Sequence, residues 1–346
     1  MKFAIINESS KFSGLGRYAI DLAYATSAKL FSLSLDSSID PSKYPGQLAS
    51  SKPFLRFGNG WYLNHRFPTI FLRSIKKQIE NQITPETILH YSSQGIHHLN
   101  LNNRYIYTVH DLFGLNPKYN NNPRLRKLLE GNLKYALAGN IVIAVSKHIK
   151  CELENLGGSG KMNVIYPPVS SSFKVMDNRK ALRKSLSLPE GKKLVLSVSS
   201  QDPRKNLKAV AETMELLGEE YSLVRVGKPI GECYSFSNID DEKLNMIYNA
   251  CDVLLFPSLD EGFGYPLAEA MTVGLPVVAS DIPVFQEIAD NAAVLAESAP
   301  ENLARGIKDA IDNSEIFRER GIQMAKRYSF DRFKEEINSL YNQIKK

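Results

Sequence analysis

Two carboxylates and two glycines cluster in one stretch of the chain, residues 257–271. Glu261 stands directly before the pair Gly262 and Gly264, and Glu269 follows eight residues after Glu261. Glycines allow the backbone to approach a ligand closely, and carboxylates accept hydrogen bonds from hydroxyl groups. These residue types predict a binding loop for a ligand that carries hydroxyls.

The same stretch has the pattern of a strand, a loop and a helix. Residues 251–256 are a short apolar run, which predicts a buried strand. Pro266 suits the first turn of a helix, because its ring fixes φ and it has no N–H to satisfy. A helix that begins there directs free N–H groups and the positive end of its dipole at the loop, which favours an anion. Hydroxyls on both sides of a phosphate describe a nucleotide-sugar.

Two adjacent cations follow another predicted strand, residues 193–198. Arg204 and Lys205 lie where that strand leads into a helix. They suit a diphosphate, because each supplies charge and hydrogen-bond donors. Further on, Asp240 and Asp241 are adjacent, as in some metal sites, but capping of the helix that follows them is the favoured interpretation.

A second glycine pair lies near the start of the chain. Gly14, Gly16 and Ala19 nearly match a dinucleotide-binding fingerprint, and Asp36 follows twenty residues after Gly16. An NAD-dependent oxidoreductase or a nucleotide-sugar epimerase is therefore an alternative. The loop of residues 7–13 counts against it, because the glycines of that fingerprint follow the strand directly.

A histidine ends the apolar run of residues 104–109. His110 would lie at the carboxyl end of a parallel strand, where α/β folds place active-site groups. It is a candidate polar contact at a reacting centre or a proton carrier. The alternative is a histidine that caps the following loop.

Charge is unevenly distributed along the 346 residues, a length that predicts two domains. Residues 1–168 carry 20 Lys and Arg against 10 Asp and Glu, and the remainder carries 23 against 27. Residues 41–79 contain no acid and interleave cations with aromatics, and residues 123–138 predict a basic amphipathic helix. Both segments suit an anionic membrane surface, with single-stranded nucleic acid or a simply solvated face as alternatives.

The remaining composition favours a cytoplasmic protein. No apolar run reaches the ~20 residues of a spanning helix, and no secretory leader is recognisable. Cys151, Cys233 and Cys251 are scattered and odd in number, which predicts reduced thiols rather than disulfides or zinc ligands.

Residues 251–280 and Glu287 resemble a known family, and the resemblance covers most of the chain, weakest between residues 36 and 100. The strand, the E-G-F-G loop from Glu261, the second glutamate at Glu269 and the following G-x-P resemble the E-x7-E signature of retaining GT-B glycosyltransferases of the family 4 type. The V-H-D-L segment of residues 109–112 is similar to a segment of the same family. The resemblance implies that Glu269 holds the nucleotide ribose, that Glu261 contacts the donor sugar, and that amides near Phe263 and Gly264 meet the diphosphate.

The resemblance also implies roles for the other candidates. Gly14 and Gly16 would line the cleft with amides close to the diphosphate or the acceptor, and His110 would face the donor sugar. The family commonly has an arginine followed five residues later by a lysine, whereas here Arg204 stands directly beside Lys205. The resemblance therefore leaves open which atoms Arg204 reaches.

The predicted fold class is α/β, with two Rossmann-like domains whose parallel sheets face each other across a cleft, the GT-B architecture. Residues 1–168 would form the acceptor-side domain and residues 169–329 the nucleotide-sugar domain. Residues 330–346 would form a helix that packs back on the first domain.

The predicted reaction transfers a sugar, with retention, from a UDP- or GDP-linked donor to a hydroxyl of a glycan or lipid-linked glycan. The resemblance alone favours mannose from GDP-mannose. Arg204, Lys205 and the loop amides would replace a metal, so no cofactor is expected. A front-face displacement is favoured over Glu261 as a covalent nucleophile. Peripheral contact with the inner face of a membrane is expected and nucleic acid is not; a nucleic-acid-binding protein stays an alternative.

Overall fold

The structure is a computed structural model. It describes residues 2–7, 9, 13–32, 49–50, 76–77, 79–94, 103–138, 140–158 and 161–345. The chain divides into two compact units. Unit 1 comprises residues 1–168 and 331–346, and unit 2 comprises residues 169–330.

The described strands and helices alternate along most of the chain. The strands are β1 (Phe3–Asn7), β2 (Lys29–Ser32), β3 (Ala49–Ser50), β4 (Ile88–Tyr91), β5 (Tyr105–Val109), β6 (Ile141–Ala144), β7 (Met162–Val164), β8 (Lys193–Val198), β9 (Tyr221–Val226), β10 (Tyr234–Phe236), β11 (Val253–Phe256), β12 (Val277–Ser280) and β13 (Val294–Ala296). The helices are α1 (Gly14–Thr26), α2 (Pro123–Leu137), α3 (Lys147–Asn155), α4 (Arg179–Ser185), α5 (Leu207–Leu217), α6 (Asp241–Ala250), α7 (Tyr265–Thr272), α8 (Pro283–Ala289), α9 (Pro300–Asp312), α10 (Ser314–Ala325) and α11 (Phe330–Lys345).

Each unit contains one parallel sheet. Within the described residues, unit 1 has the strand order β3-β2-β1-β4-β5-β6-β7 and unit 2 has the order β10-β9-β8-β11-β12-β13. The central strands β4, β5 and β11 are buried along their whole length, as expected for parallel strands covered on both faces. The predicted α/β class with Rossmann-like sheets is confirmed.

The strand order of each sheet reverses once. In unit 1 the reversal lies between β1 and β4, and in unit 2 it lies between β8 and β11. Ligands of open α/β sheets bind outside the carboxyl ends of the strands at such a point. The loops that follow β8 and β11 are therefore the expected position of a ligand-binding site in unit 2.

The C-terminal helix α11 is anchored to the sheet of unit 1 by a buried hydrogen-bond chain. His90 on β4 bonds the Tyr341 hydroxyl through Nδ1 at 2.7 Å and Thr108 Oγ1 through Nε2 at 2.8 Å. Thr108 Oγ1 also bonds the Tyr18 hydroxyl at 3.0 Å. The chain therefore joins α1, β4, β5 and α11 through four buried side chains.

Most predicted strands and helices lie where their sequence patterns indicated. Side chains cap the first turns of two of these helices, α3 and α6. Ser146 caps α3 by accepting from the Ile149 N–H, and Asp240 caps α6 by accepting from the Lys243 N–H. The capping interpretation of Asp240 and Asp241 is thus confirmed. Four of the described strands and helices were not predicted: β3, β4, β10 and α4.

No helix in the described part of the chain is long and apolar enough to span a membrane. The three cysteines form no disulfide: Cys151 is exposed, Cys233 is half-buried and Cys251 is buried. Burial raises the pKa of the Cys251 thiol well above its usual range.

Candidate active site

Beyond β8 the chain forms one tight turn that carries the two predicted cations. Residues 203–205 are a single turn of 3₁₀ helix. Asp202 fixes this turn, because its carboxylate accepts from the Arg204 N–H at 2.9 Å and from Arg204 Nη2 at 3.0 Å. Arg204 is buried and Lys205 is half-buried. The carboxyl end of β8 therefore presents a cationic turn.

Beyond β11 the chain forms the predicted glycine loop, and α7 begins at Tyr265 with Pro266 in its first turn. Gly264 immediately before the helix has φ +95°, a conformation that L side chains rarely adopt. A Cβ at Gly264 would also lie 2.8 Å from the Phe285 ring. Only glycine fits this position, and the N–H groups of the first turn of α7 face the loop.

Direct hydrogen bonds join the two loops. The Leu259 N–H donates to the Arg204 carbonyl at 2.7 Å, and Arg204 Nη1 donates to the Asp260 carbonyl at 3.3 Å. Arg204 thus fixes the glycine loop through both its backbone and its side chain. The two segments form one structural unit at the point where the strand order reverses.

Lys205 and Glu261 form an ion pair across these loops, with Lys205 Nζ donating to Glu261 Oε1. Their side chains are 17% and 11% exposed, so solvent screens the pair only partly. Lys205 Nζ also lies 5.8 Å from the centre of the Phe256 ring. The cation predicted for the diphosphate and the carboxylate predicted for the donor sugar therefore contact each other directly.

Glu269 lies on the buried side of α7. Its Oε2 accepts a hydrogen bond of 2.8 Å from the Tyr248 hydroxyl, which comes from α6. A buried carboxylate is stable only where hydrogen bonds compensate its desolvation. Tyr248 is thus a positioning partner of Glu269 that the sequence pattern did not reveal.

The Phe263 side chain belongs to the core. Its ring packs edge-on against Tyr265 and Tyr328, with centroids 5.4 and 5.3 Å away. The ring therefore anchors the glycine loop. A ligand contact at this residue has to come from its backbone, as the prediction for Phe263 assumed.

In unit 1, His110 follows β5 and is buried against the segment that follows β4, residues 92–94. The N–H at Nε2 donates to the Ser92 carbonyl at 2.8 Å, and the backbone N–H of His110 donates to Gln94 Oε1 at 3.0 Å. The Tyr18 ring meets the imidazole edge-on at 4.7 Å. Burial lowers the pKa of His110 to about 4. The imidazole is therefore neutral near pH 7, with Nδ1 as its unprotonated nitrogen.

The first glycine pair opens α1 after a loop, as the sequence indicated. Ser13 caps the helix, and its hydroxyl accepts from the Gly16 N–H at 3.0 Å. The Gly16 amide is therefore satisfied within the chain, and Gly14 is the glycine in the first position of the helix. The ligand roles predicted for Gly14 and Gly16 stay predictions.

A cavity of about 180 Å³ lies beside His110 in unit 1, at the carboxyl ends of β1, β4 and β5. Its walls are mainly apolar, with Phe113 and Leu129 among them, and Gln94 and Asp111 supply polar groups. Gln94 Nε2 donates to the Asp111 carbonyl at 2.7 Å. The cavity lies on the side predicted to receive an acceptor.

Of the two predicted basic segments, residues 41–79 lie mostly outside the described part of the chain. The second segment is helix α2, on which Arg124, Lys127 and Lys134 are exposed. No group of three His, Cys, Asp or Glu side chains that could hold a metal ion occurs among the described residues. The predicted metal independence stays a prediction.

Two protein-family models match the chain. The model described as Glycosyl transferases group 1 matches residues 178–328, and the model described as Glycosyltransferase Family 4 matches residues 12–173. Two Rossmann-like units, each with one parallel sheet, are the architecture of the GT-B class. The chain belongs to the glycosyltransferases of group 1, the family 4 type. This assignment sets aside the oxidoreductase, the epimerase and the nucleic-acid-binding protein as classes.

Curated relatives lie at low identity. The chain is similar to O-antigen chain mannosyltransferase RfbU of Salmonella typhimurium, with 26% identity over 52% of this chain and 53% of that protein. It is also similar to O-antigen chain mannosyltransferase B of Escherichia coli, with 28% identity over 39% and 42% of the two chains. The chain thus spans about half the length of the curated relatives it matches.

Solved structures match over almost the whole chain. Sucrose-phosphate synthase from Thermosynechococcus elongatus superposes with a TM-score of 0.80 at 19% identity, covering 99% of each chain. Anabaena HepE in complex with UDP and glucose superposes with a TM-score of 0.78 at 17% identity, again covering 99% of each chain. At these identities the likeness establishes the fold, and the predicted GT-B architecture is confirmed.

Proposed function

We propose that the protein is a retaining glycosyltransferase that moves a sugar from a nucleoside-diphosphate donor to a hydroxyl of a glycan or lipid-linked glycan. The observation that carries the proposal is the Lys205–Glu261 ion pair. It joins the cationic turn after β8 to the glycine loop after β11, where the strand order of unit 2 reverses. A cation for a diphosphate and a carboxylate for sugar hydroxyls are thus held side by side.

The leaving group sets the electrostatic demand. Cleavage of the bond between the anomeric carbon and the phosphate oxygen leaves a nucleoside diphosphate with added negative charge. Donors fixed in advance lower the barrier, because they need no reorganisation as the charge develops. Arg204, Lys205 and the N-terminus of α7 supply such donors. This supports chemistry that needs no metal.

The acceptor hydroxyl has to lose its proton as the new bond forms. In a front-face displacement the departing phosphate oxygen takes that proton, and the configuration at the anomeric carbon is retained. In this route Glu261 only accepts hydrogen bonds from sugar hydroxyls, so no covalent intermediate on its carboxylate is required. The neutral imidazole of His110 is suited to accept a hydrogen bond from a sugar hydroxyl through Nδ1.

The donor we propose is GDP-mannose. Two relatives are named as mannosyltransferases, and this supports mannose as the sugar. The HepE complex contains UDP, which supports a nucleoside diphosphate in this fold without favouring guanine. The base is therefore the first property to measure.

A thermal-shift panel tests the donor site. We expect GDP and GDP-mannose to raise the melting temperature, because a ligand at a hundred times its dissociation constant adds about 2.7 kcal/mol to the unfolding free energy. Glu269→Gln should abolish the shift, because the amide cannot replace the carboxylate as a double acceptor for ribose hydroxyls. Glu301→Gln, on the exposed face of α9, is the matched control and should leave the shift intact.

Two outcomes of this panel would overturn parts of the proposal. A shift with UDP and UDP-sugars alone would exclude GDP-mannose and keep the transferase. No shift with any nucleoside diphosphate would exclude the donor site itself.

Transfer measured with the donor that binds should be unchanged by EDTA, and loss of transfer restored by Mg²⁺ would contradict metal-independent chemistry.

We also propose that the enzyme works at the cytoplasmic face of a membrane and contacts anionic lipid through α2. Exposed cations near a membrane contribute about 1 kcal/mol each to binding. The double variant Arg124→Glu/Lys127→Glu should therefore release the protein from vesicles that contain phosphatidylglycerol. Lys308→Glu, on an exposed position of unit 2, is the charge control. Equal sedimentation of wild type with anionic and neutral vesicles would contradict this contact.

A further inference from the structure

Arg225 is a fully buried cation on β9, the strand that pairs with β8 in the unit 2 sheet. It lies near the carboxyl end of β9, and its side chain is among the largest that solvent does not reach. Burial lowers the pKa of its guanidinium. Arginine keeps its charge under such conditions, so β9 holds a buried positive charge.

The partners of Arg225 are three backbone carbonyls and, at 3.4 Å from Nη1, the Ser197 hydroxyl. Nη1 donates to the Ser197 carbonyl at 3.0 Å and to the Val226 carbonyl at 3.3 Å, and Nη2 donates to the Ser199 carbonyl at 2.7 Å. Among the described residues no carboxylate forms an ion pair with it, and Nε is buried without a hydrogen-bond partner. A buried charge without a counterion is costly, so an apolar residue would give the sheet a more stable core.

The Arg225 guanidinium donates hydrogen bonds to the backbone at the end of β8, where the chain enters the cationic turn. Ser197 lies in β8, whereas Ser199 is the first residue beyond it. The fork of Arg225 bonds both carbonyls, so it fixes the direction in which the chain leaves the strand. Gly227 makes room for this contact, because a Cβ there would clash with the Ser199 carbonyl and lie 3.2 Å from Arg225 Nη2.

Arg183, another buried arginine of unit 2, differs from Arg225 in that a carboxylate neutralises its charge. Arg183 donates to the Ala250 carbonyl at 2.9 Å and to the Lys192 carbonyl at 3.1 Å, which precede β11 and β8. It also pairs with Asp252 at 2.6 Å. Arg183 is thus neutralised and lies at the amino ends of the strands, away from the edge that carries the candidate site.

We propose that Arg225 is a positioning residue for diphosphate recognition: by holding the Ser197 and Ser199 carbonyls it orients the segment of residues 199–205 that presents Arg204 and Lys205. The inference rests on the proposed function, because it assigns Arg225 to the same donor site. A lysine at this position would keep the charge but offers a single point of contact in place of the two-pronged fork.

The test compares nucleoside diphosphates with monophosphates. GDP with GMP, and UDP with UMP, are titrated calorimetrically against wild type, Arg225→Met, Arg225→Lys and Arg183→Met. The diphosphate and the monophosphate share the ribose and the base. The ratio of their affinities therefore reports the contribution of the cationic turn to binding, separately from the ribose and base contacts. We expect Arg225→Met to lower this ratio by about ten- to a hundredfold, as misplacement by about 1 Å does. Arg225→Lys should give an intermediate ratio, and Arg183→Met should lower the melting temperature while keeping the ratio.

A wild-type ratio in folded Arg225→Met would overturn the inference and leave the proposed function standing. If that variant does not fold, Arg225→Lys and Gly227→Ala decide, because Gly227→Ala displaces the same Ser199 carbonyl. Wild-type ratios in both would also overturn it. Failure of the wild type to bind either diphosphate would instead remove the proposed function and this inference with it.

Discussion

Replacement of Lys205 by methionine should lower the turnover of sugar transfer by about two to three orders of magnitude. Methionine keeps the length of the side chain but removes the charge and all three donors. Loss of one fixed donor to a developing negative charge typically costs ~10²–10³ in rate. The effect should appear in turnover more than in the Michaelis constant, because the leaving diphosphate gains charge only as the bond breaks.

In Lys205→Met, the effect on folding stability has to be measured separately from the effect on turnover. Lys205→Met leaves the mostly buried carboxylate of Glu261 without its cation, which destabilises the fold. The double variant Lys205→Met/Glu261→Gln removes both charges, so it should regain stability without regaining turnover. Lys208→Met is the matched control, since Lys208 is 85% exposed one turn further on and should transfer sugar as wild type does. Turnover of Lys205→Met within about threefold of wild type would contradict the role assigned to this cation.

The Lys205–Glu261 ion pair also compensates two partly buried charges before the donor binds. With Lys205 and Glu261 paired, neither charge has to remain uncompensated in a partly buried position. A diphosphate that binds the lysine releases Glu261 to accept hydrogen bonds from sugar hydroxyls. Donor binding would thus exchange one compensated arrangement for another, and this exchange is more favourable when the sugar is present together with the phosphate.

The part of the site that sequence predicted best is the part that local chemistry determines. The apolar run before Pro257, the glycine at position 264 and the proline at position 266 each dictate a backbone conformation by themselves. The structure accordingly has a strand, a loop with φ +95° at Gly264, and a helix whose first turn contains Pro266. The domain-scale fold followed from the same alternation of short apolar runs with helices.

What the sequence did not reveal depends on contacts between distant residues. β4 has four residues with a histidine among them, so it showed neither alternation nor a long apolar run. Its neighbours Ser92 and Gln94, which orient His110, were missed with it. Tyr248 and Arg225 lie in ordinary helix and strand patterns, and only the folded chain brings them to Glu269 and the Ser199 carbonyl.

The stability of unit 1 should fall steeply as the pH drops from 7 to 5. Burial lowers the pKa of His90 to about 3 and that of His110 to about 4, from an ordinary value of 6.5. Between pH 6.5 and 4 the unfolded chain therefore binds two protons that the folded chain does not, so acid favours unfolding. The stabilisation is fully present above pH 6.5. At pH 5 each histidine should account for a loss of about 2 kcal/mol.

Hydrogen exchange measured by mass spectrometry on peptides that contain β4 and β5 gives this free energy for unit 1 without interference from unit 2. The exchange rates are corrected for the intrinsic effect of pH, and His90→Asn and His110→Asn are compared with wild type. Each variant should be less stable at pH 7, because it loses buried hydrogen bonds. Its deficit should shrink by about 2 kcal/mol at pH 5, because it lacks one of the two protonation sites. Opening free energies in wild type that stay level between pH 7 and 5 would mean that the two histidines take up protons in the folded chain as readily as in the unfolded chain, and this would contradict the lowered pKa values of His90 and His110.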